Sequence, residues 1–199
     1  MRKLEFWYEF ASTYSYLTVM RIEEAAARAD VEIDWRPFLL GLIFKSQGWS
    51  TSPFNLYPTK GRHMVRDIER IAAARGLTFR MPEQFPANGL GAARLAFAGR
   101  EEGWCAAFTR AVFTAQFAEG LDISSPAVLE RILTAIGVDT GAAFTTAALP
   151  ETKDALRQET DRAQAIGVFG APSFVTPDGE LFWGDDRLEQ ALDWTKRLK

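Results

Sequence analysis

Ser12 is the residue of this sequence with the clearest chemical potential, because it stands where a strand pattern runs into a helix pattern. It lies within Phe10-Ala11-Ser12-Thr13-Tyr14-Ser15-Tyr16, where a hydroxyl can accept a backbone N–H and cap the helix. A nucleophilic serine would need a histidine partner, but the only histidine, His63, stands in a basic stretch, and no Gly-x-Ser-x-Gly turn surrounds Ser12. The sequence therefore makes a serine hydrolase a weak alternative, and from spacing alone Ser12 is an ordinary cap.

Cysteine and histidine are too scarce for several other kinds of site. The single cysteine, Cys105, excludes an internal disulfide and any Cys-x-x-Cys chemistry, and its place on an apolar helical face predicts a buried, inert thiol. One cysteine and one histidine cannot build the usual zinc site from nitrogen and sulfur ligands. We therefore expect no metal site.

Composition excludes further classes of function. The net charge of -3, without a dense cluster of lysine and arginine, argues against nucleic-acid binding. No apolar run approaches the roughly 18 residues that span a bilayer, so no membrane segment is expected. The first residues run straight into a strand pattern without a signal peptide, which leads us to expect a cytoplasmic protein.

The first 38 residues predict a strand, a helix and a strand. Leu4, Phe6, Tyr8 and Phe10 alternate with more polar residues, as in a strand with one better-buried face, and a helical stripe follows from Ser15 to Ala29. Val31, Ile33 and Trp35 alternate in the same way before Pro37. Two parallel strands joined by a crossover helix are the natural interpretation.

The rest of the chain divides into a loop-like stretch, a helical block and a final sheet segment. Residues 39–60 contain several glycines and prolines and predict loops, whereas every strong pattern from about 62 to 166 is helical. Residues 173–176 and 180–183 predict two strands around the turn Pro177-Asp178-Gly179, before a last helix that Asp185 or Asp186 could cap. This order predicts an α/β thioredoxin-like fold, with residues 1–60 and 167–199 as one domain and 61–166 as an inserted α-helical domain.

Motifs in five places along the chain together resemble those of the 2-hydroxychromene-2-carboxylate isomerases, which belong with the kappa-class glutathione transferases in the thioredoxin superfamily. They are Tyr8–Tyr16, Lys45 with Ser52–Asn55, Gln84–Asn88, Gly167–Pro172 and Phe182–Leu188. The resemblance covers essentially the whole chain. The family motif usually reads Ser-Pro-Tyr-Ser, and here Thr13 replaces the proline.

The resemblance implies glutathione as a recycled cofactor for the cis–trans isomerisation of a small aromatic ring-cleavage product. Ser12 would hold the glutathione thiolate, and Ala171, before a cis Pro172, would pair with the tripeptide backbone. Gly184, Asp185 and Asp186 would bind its γ-glutamyl end. On the substrate side, Lys45 and Asn55 match positions that would hold an α-keto carboxylate.

Two rival functions stay open at the level of sequence. A kappa-like transferase would use the same glutathione site to conjugate electrophiles, and a non-catalytic thioredoxin-fold binding protein would not turn anything over. A disulfide oxidoreductase is the weakest alternative, because the required cysteine pair is absent. The resemblance also implies a homodimer.

Overall fold

A four-stranded mixed sheet forms the base of the molecule in the computed structural model, which describes residues 2–49 and 51–198; the outermost positions of the predicted domains, 1 and 199, lie outside this range. The strands are β1 (Arg2–Tyr8), β2 (Val31–Pro37), β3 (Ser173–Val175) and β4 (Leu181–Trp183). Their order across the sheet is β2-β1-β3-β4. β1 and β2 run parallel, as predicted, whereas β3 is antiparallel to both β1 and β4.

Helices occupy most of the remaining chain. They are α1 (Thr13–Val19), α2 (Ile22–Ala29), α3 (Leu40–Ser46), α4 (Pro53–Leu56), α5 (Pro58–Ala74), α6 (Leu90–Glu102), α7 (Cys105–Phe117), α8 (Pro126–Ala135), α9 (Thr140–Ala148), α10 (Pro150–Ala165) and α11 (Leu188–Arg197). A single 3₁₀ turn, Asp185–Arg187, precedes α11. The α/β thioredoxin-like fold with helices inserted between its two halves is therefore confirmed, while the exact domain boundaries stay a prediction.

Strand β1 has one better-buried face, as predicted, and one residue of its other face is covered as well. Leu4, Phe6 and Tyr8 join the main core, while Trp7, on the opposite face, is also fully covered. Phe38 packs edge-on against Trp7, and the guanidinium of Arg162 lies 5.2 Å from the centre of its ring. β1 is also an interior strand of the sheet, because it lies between β2 and β3.

The segment predicted as one helix after β1 is two helices. α1 ends at Val19, and α2 begins at Ile22 after a break at Met20 and Arg21. The buried stripe continues across the break, which is why periodicity alone predicted a single helix.

The prediction of loops for residues 39–60 was wrong, because α3, α4 and the start of α5 lie there. The prolines that were taken as breakers stand at the first turns of α4 and α5, where proline is favourable since its missing N–H needs no partner. Gly41 lies inside α3, and a Cβ built on it would meet no atom within 4 Å.

The inserted helices are fixed to the sheet by aromatic side chains. Phe10 packs on Phe113 with ring centres 5.2 Å apart, and Tyr8 meets Phe10 edge-on at 5.5 Å. The Tyr8 hydroxyl also hydrogen-bonds Thr109 of α7 at 2.8 Å. This packing holds the end of β1, and with it the start of α1, in a fixed place relative to α7.

Two kinds of feature are absent from the part of the chain that the structure describes. None of its helices is long and apolar enough to cross a membrane. Its histidine, cysteine and acidic side chains nowhere gather into a group that could hold a metal ion.

Candidate functional site

Ser12 caps α1, as predicted, and its hydroxyl makes a second bond to the other half of the chain. The Ser12 Oγ accepts the Ser15 amide at 3.1 Å and donates its own proton to the Ala171 carbonyl oxygen at 2.9 Å. The amides of Thr13 and Tyr14 have no acceptor among the described residues. The start of α1 therefore offers one hydroxyl and two free N–H groups to a negatively charged partner.

The Ala171–Pro172 peptide bond is cis, as predicted, and lies beside Ser12. The Pro172 carbonyl accepts the Gly184 amide at 3.0 Å, which brings the segment before α11 to the same place. Gly184 has a φ of 111°, and a Cβ there would stand 2.7 Å from Asp186 Oδ1. Glycine suits this position because residues with a side chain rarely adopt this φ, and a Cβ would also displace the exposed Asp186 carboxylate.

Asp185 has a different surrounding from the one predicted for it. It is 3% exposed, and it is neither a free acceptor for a ligand nor a side-chain cap of α11. Arg75 forms a two-point ion pair with its carboxylate (2.6 and 3.2 Å), Arg21 Nε reaches Oδ1 at 3.1 Å, and the Thr18 hydroxyl donates at 3.0 Å. These four contacts occupy the carboxylate, so Asp185 joins α1, α2 and α5 to the 3₁₀ turn.

Asp186 is the carboxylate of this pair that faces solvent. Its side chain is 73% exposed and contacts only its neighbour Arg187, at 3.0 Å, among ion pairs of the described residues. The 3₁₀ turn that carries Asp186 contacts α1, and after burial and the adjacent Asp67 the Asp186 charge contributes to raising the pKa of Tyr14. Asp186 is therefore the member of the pair that a ligand can reach.

Lys45 lies in the last turn of α3, exposed, and pairs with no carboxylate of the described residues. α3 begins close to Ser12 for a topological reason: β1 and β2 are parallel, so the segments that follow them start at the same edge of the sheet. The side chain of Glu9 connects them, since it accepts the Ala11 amide at 3.3 Å and the Leu40 amide at 3.0 Å.

Asn55 is placed by contacts with its own neighbourhood. Its amide nitrogen donates to Thr51 Oγ1 at 3.1 Å and to the Phe85 carbonyl at 3.4 Å. It lines a cavity of about 630 Å³ together with Arg62 and Phe85. No contact within residues 2–49 and 51–198 joins Asn55 to Ser12, so the structure groups Ser12, Ala171, Pro172, Gly184 and Asp186 but does not add Asn55 to them.

A larger cavity, of about 800 Å³, contains none of the predicted site residues. It opens beside β2 and α6, and Cys105 forms part of its wall. Cys105 is nevertheless 4% exposed, lies 3.5 Å from the Tyr8 hydroxyl, and burial raises its pKa. The prediction of an inert thiol agrees with this environment.

Sequence reasoning missed two features of the site. Glu9 was seen only as a polar residue of the strand pattern, although an acidic residue three positions before Ser12, at the end of a buried strand, was a usable signal. The Thr13 and Ser15 hydroxyls are buried and have no hydrogen-bond partner among the residues that the structure describes, which no sequence pattern indicates.

Comparison with known proteins agrees with this geometry. The family model of the DSBA-like thioredoxin domain matches residues 3–194. The chain is 27% identical over 189 residues to a 2-hydroxychromene-2-carboxylate isomerase of Sphingobium xenophagum, covering 94% of this chain and 95% of the relative. It is 24% identical over 208 residues to glutathione S-transferase kappa 2 of Caenorhabditis elegans, covering 96% and 90%.

A solved structure of a 2-hydroxychromene-2-carboxylate isomerase superposes on the chain with a TM-score of 0.85. The two share 23% sequence identity, and the match covers 98% of this chain and 95% of the other. At this identity the superposition shows a common fold. The resemblance predicted from the sequence motifs is confirmed by these relatives.

Proposed function

The chain belongs to the DSBA-like thioredoxin domain family, and from that premise we propose that it is a glutathione-dependent isomerase of the 2-hydroxychromene-2-carboxylate type. The observation that carries the proposal is the bond between the Ser12 hydroxyl and the Ala171 carbonyl. It puts a hydroxyl and a cis proline side by side in a chain that has no cysteine pair. The thiol of a bound ligand would take the place of the cysteine thiol that the chain lacks here.

The residues around Ser12 fit a thiolate energetically. A thiol with a pKa of about 8.5 needs roughly 2 kcal/mol of stabilisation to reach about 7. A hydroxyl bond to an anion contributes about 1.5–3 kcal/mol, but Ser12 must first give up its neutral bond to Ala171, worth about 0.5–1.5 kcal/mol. The net gain lies between about 0 and 2.5 kcal/mol, centred at about 1.3 kcal/mol, and the free amides of Thr13 and Tyr14 would contribute the remainder of the requirement.

The backbone at Ala171 fits a peptide ligand. Once the Ser12 proton turns toward a sulfur, the Ala171 carbonyl loses its donor and becomes an acceptor for a peptide N–H. Ala171 precedes β3, which is already paired with β1 and β4, so the ligand would pair with the backbone of the proline loop itself, in the manner of an added strand. The same rotation of one hydroxyl thus opens both contacts.

Asp186 fits the ammonium of the γ-glutamyl group, because it is exposed and lies near the start of α1. Asp185 fixes the 3₁₀ turn on which Asp186 lies, through its ion pairs with Arg21 and Arg75. Gly184 lets the chain turn at this point. The proposal therefore keeps both aspartates but divides their roles into ligand contact and support.

Bound glutathione would supply a thiolate that adds reversibly to a conjugated double bond of the substrate, which frees that bond to rotate before the sulfur leaves. Lys45 is the candidate for holding the substrate carboxylate, because it is an exposed cation without a protein partner in the described segments. Asn55 remains a candidate amide donor, although its amide already contacts Thr51 and Phe85.

A kappa-like glutathione transferase is the second candidate function, favoured by the similarity to the Caenorhabditis elegans protein. Both functions share the glutathione contacts and differ in the fate of the sulfur. An isomerase returns glutathione unchanged, whereas a transferase consumes one glutathione for each product.

The deciding experiment incubates the protein with glutathione and 2-hydroxychromene-2-carboxylate and follows product and free thiol together. Isomerised product with constant thiol supports the proposal, and matching loss of thiol supports the transferase.

Ser12→Ala should slow the reaction, while Ser15→Ala, which removes an unpartnered hydroxyl from the same helix, is the matched control. No thermal stabilisation by millimolar glutathione would leave a non-catalytic binding protein instead.

A further inference from the structure

Glu9 lies where three segments of the candidate site meet. Its main-chain carbonyl accepts the Ser12 amide at 2.9 Å, and its carboxylate accepts the amides of Ala11 and Leu40 through separate oxygens. The third segment contains Gly89, which lies very close to Glu9 and Phe10. A Cβ added to Gly89 would stand 3.2 Å from Glu9 Oε1 and 2.9 Å from Phe10 Cβ. The Glu9 carboxylate thus bonds to the turn that carries Ser12 and to the start of the helix that carries Lys45, and it lies close to the start of α6.

The carboxylate has amide donors but no cation. Charged residues stand on each of the elements around it: Lys45 on α3, Arg80 and Glu83 on the segment before Gly89, Arg94, Arg100, Glu101 and Glu102 on α6, and Glu151, Lys153, Asp154, Arg157, Glu159, Asp161 and Arg162 on α10. Within the described ranges none of them forms an ion pair with Glu9, and Glu159 is paired with Arg36 instead. Two or more backbone amides therefore hold this charge without help from a counter-ion.

We propose that Glu9 is a positioning residue of the site, whose carboxylate fixes the Ser12 turn against the start of α3 and whose charge state sets how firmly it does so. The role in ligand binding rests on the proposed function. When ionised, Glu9 can accept a charge-assisted bond at each oxygen. When protonated, one oxygen becomes a hydroxyl, and the amide that faces it is held less well.

The change between the ionised and the protonated form of Glu9 falls in the physiological range of pH. Burial raises the pKa of Glu9 to about 7, against the opposing effect of the amides of Ala11, Leu40 and Phe10. A small change of pH, or a new charge nearby, therefore shifts the balance between the two forms.

A thiolate at Ser12 would be such a charge. It would stand near the carboxylate, because Ala11, whose amide Glu9 accepts, directly precedes Ser12. Like charges at short range disfavour each other, so a bound thiolate raises the proton affinity of Glu9. By linkage, protonation of Glu9 then favours the thiolate form of the ligand.

Nuclear magnetic resonance of the whole protein tests the inference without any turnover. In the free protein, the amide shifts of Ala11 and Leu40 should titrate together with a midpoint near 7. Glu9→Gln should abolish this shared titration, because an amide side chain does not ionise. Glu83→Gln, which removes an exposed charge from the neighbouring segment, is the matched control and should leave it intact.

Two ligands distinguish the effect of the thiolate charge on Glu9 from the effect of simply filling the site. Glutathione should raise the shared midpoint by about one pH unit, while S-methylglutathione, which has no ionisable thiol, should leave it unchanged. Absence of a shared midpoint across the neutral range in the free protein would overturn the positioning role. If neither peptide perturbs any amide, it is the glutathione site of the proposed function that fails, and the titration of the free protein alone still decides the inference.

Discussion

The Ser12 hydroxyl donates to the Ala171 carbonyl at 2.9 Å and so joins the first helix to the proline loop, 159 residues away in the chain. A hydroxyl has one proton, so this bond and a bond to a ligand sulfur are mutually exclusive. Any anion that binds at Ser12 must compete with Ala171. The strength of thiolate binding is therefore a difference between two hydrogen bonds.

Ser12→Ala should lower turnover at pH 7 by about tenfold and move the pH optimum upward, because the thiolate loses about 1.3 kcal/mol of stabilisation. It should also lower the free energy of unfolding by about 1 kcal/mol, since the cap of α1 is lost. Rates against pH, together with urea unfolding, measure the two effects separately. An unchanged pH optimum would remove Ser12 from the chemistry.

The fold should tolerate Thr13→Pro, and the free energy of unfolding should rise by about 0.4–1 kcal/mol, although the change removes one of the two amides offered to the thiolate. Thr13 is the first residue of α1, its amide has no acceptor among the described residues, and its buried hydroxyl has no partner. The preceding Ser12, with φ -85° and ψ 114°, already has the extended conformation that a proline requires before it. Thermal unfolding measures the gain; Thr13→Val separates the removal of the buried hydroxyl from the restriction of the chain.

Asp185→Asn should destabilise the protein by about 3–5 kcal/mol, because it leaves Arg21 and Arg75 without the buried charge that pairs with them. Asp186→Asn should change stability by less than about 0.5 kcal/mol, since the side chain is exposed. Glutathione affinity, measured on the folded proteins, should fall more in Asp186→Asn than in Asp185→Asn. Calorimetry and urea unfolding of both variants check this division, and equal destabilisation by the two would contradict it.

The stability of the protein relative to Glu9→Gln should fall as pH rises from about 4.5 to about 7. Glu9 has a folded pKa of about 7 against an ordinary value of 4.5, so its contribution is fully present below 4.5 and lost by 7. The difference in unfolding free energy should change by at most about 1.4 kcal/mol per pH unit within this window. Urea unfolding of both proteins at several pH values measures it, and a flat difference would show that Glu9 is ionised throughout.

Local patterns were sufficient to predict much of the fold. The alternation in β1 and β2, the turn at Pro177-Asp178-Gly179 and the helical periodicity of the middle block are properties of neighbouring residues. The errors arose where one residue type has two uses. Pro53 and Pro58 were taken to break helices, but at a first helical turn proline assists the start.

The candidate site was less accessible to sequence reasoning because its contacts join distant residues. Ser12 as a cap could be predicted from its neighbours, whereas the engagement of Asp185 by Arg75 depends on the path of α5. Glu9 was overlooked for the same reason, since its second amide donor, Leu40, comes from another element. Such roles become visible only when the packing is known.

The buried position of Cys105 has a practical consequence for labelling experiments. Its sulfur lies beside Tyr8 and Thr109, and the residue is 4% exposed although it forms part of a cavity wall, so alkylating reagents should react with it far more slowly than with a free thiol. An electrophile consumed in a mixture of this protein and added glutathione can then be counted mainly against the added tripeptide, after a blank with the protein alone.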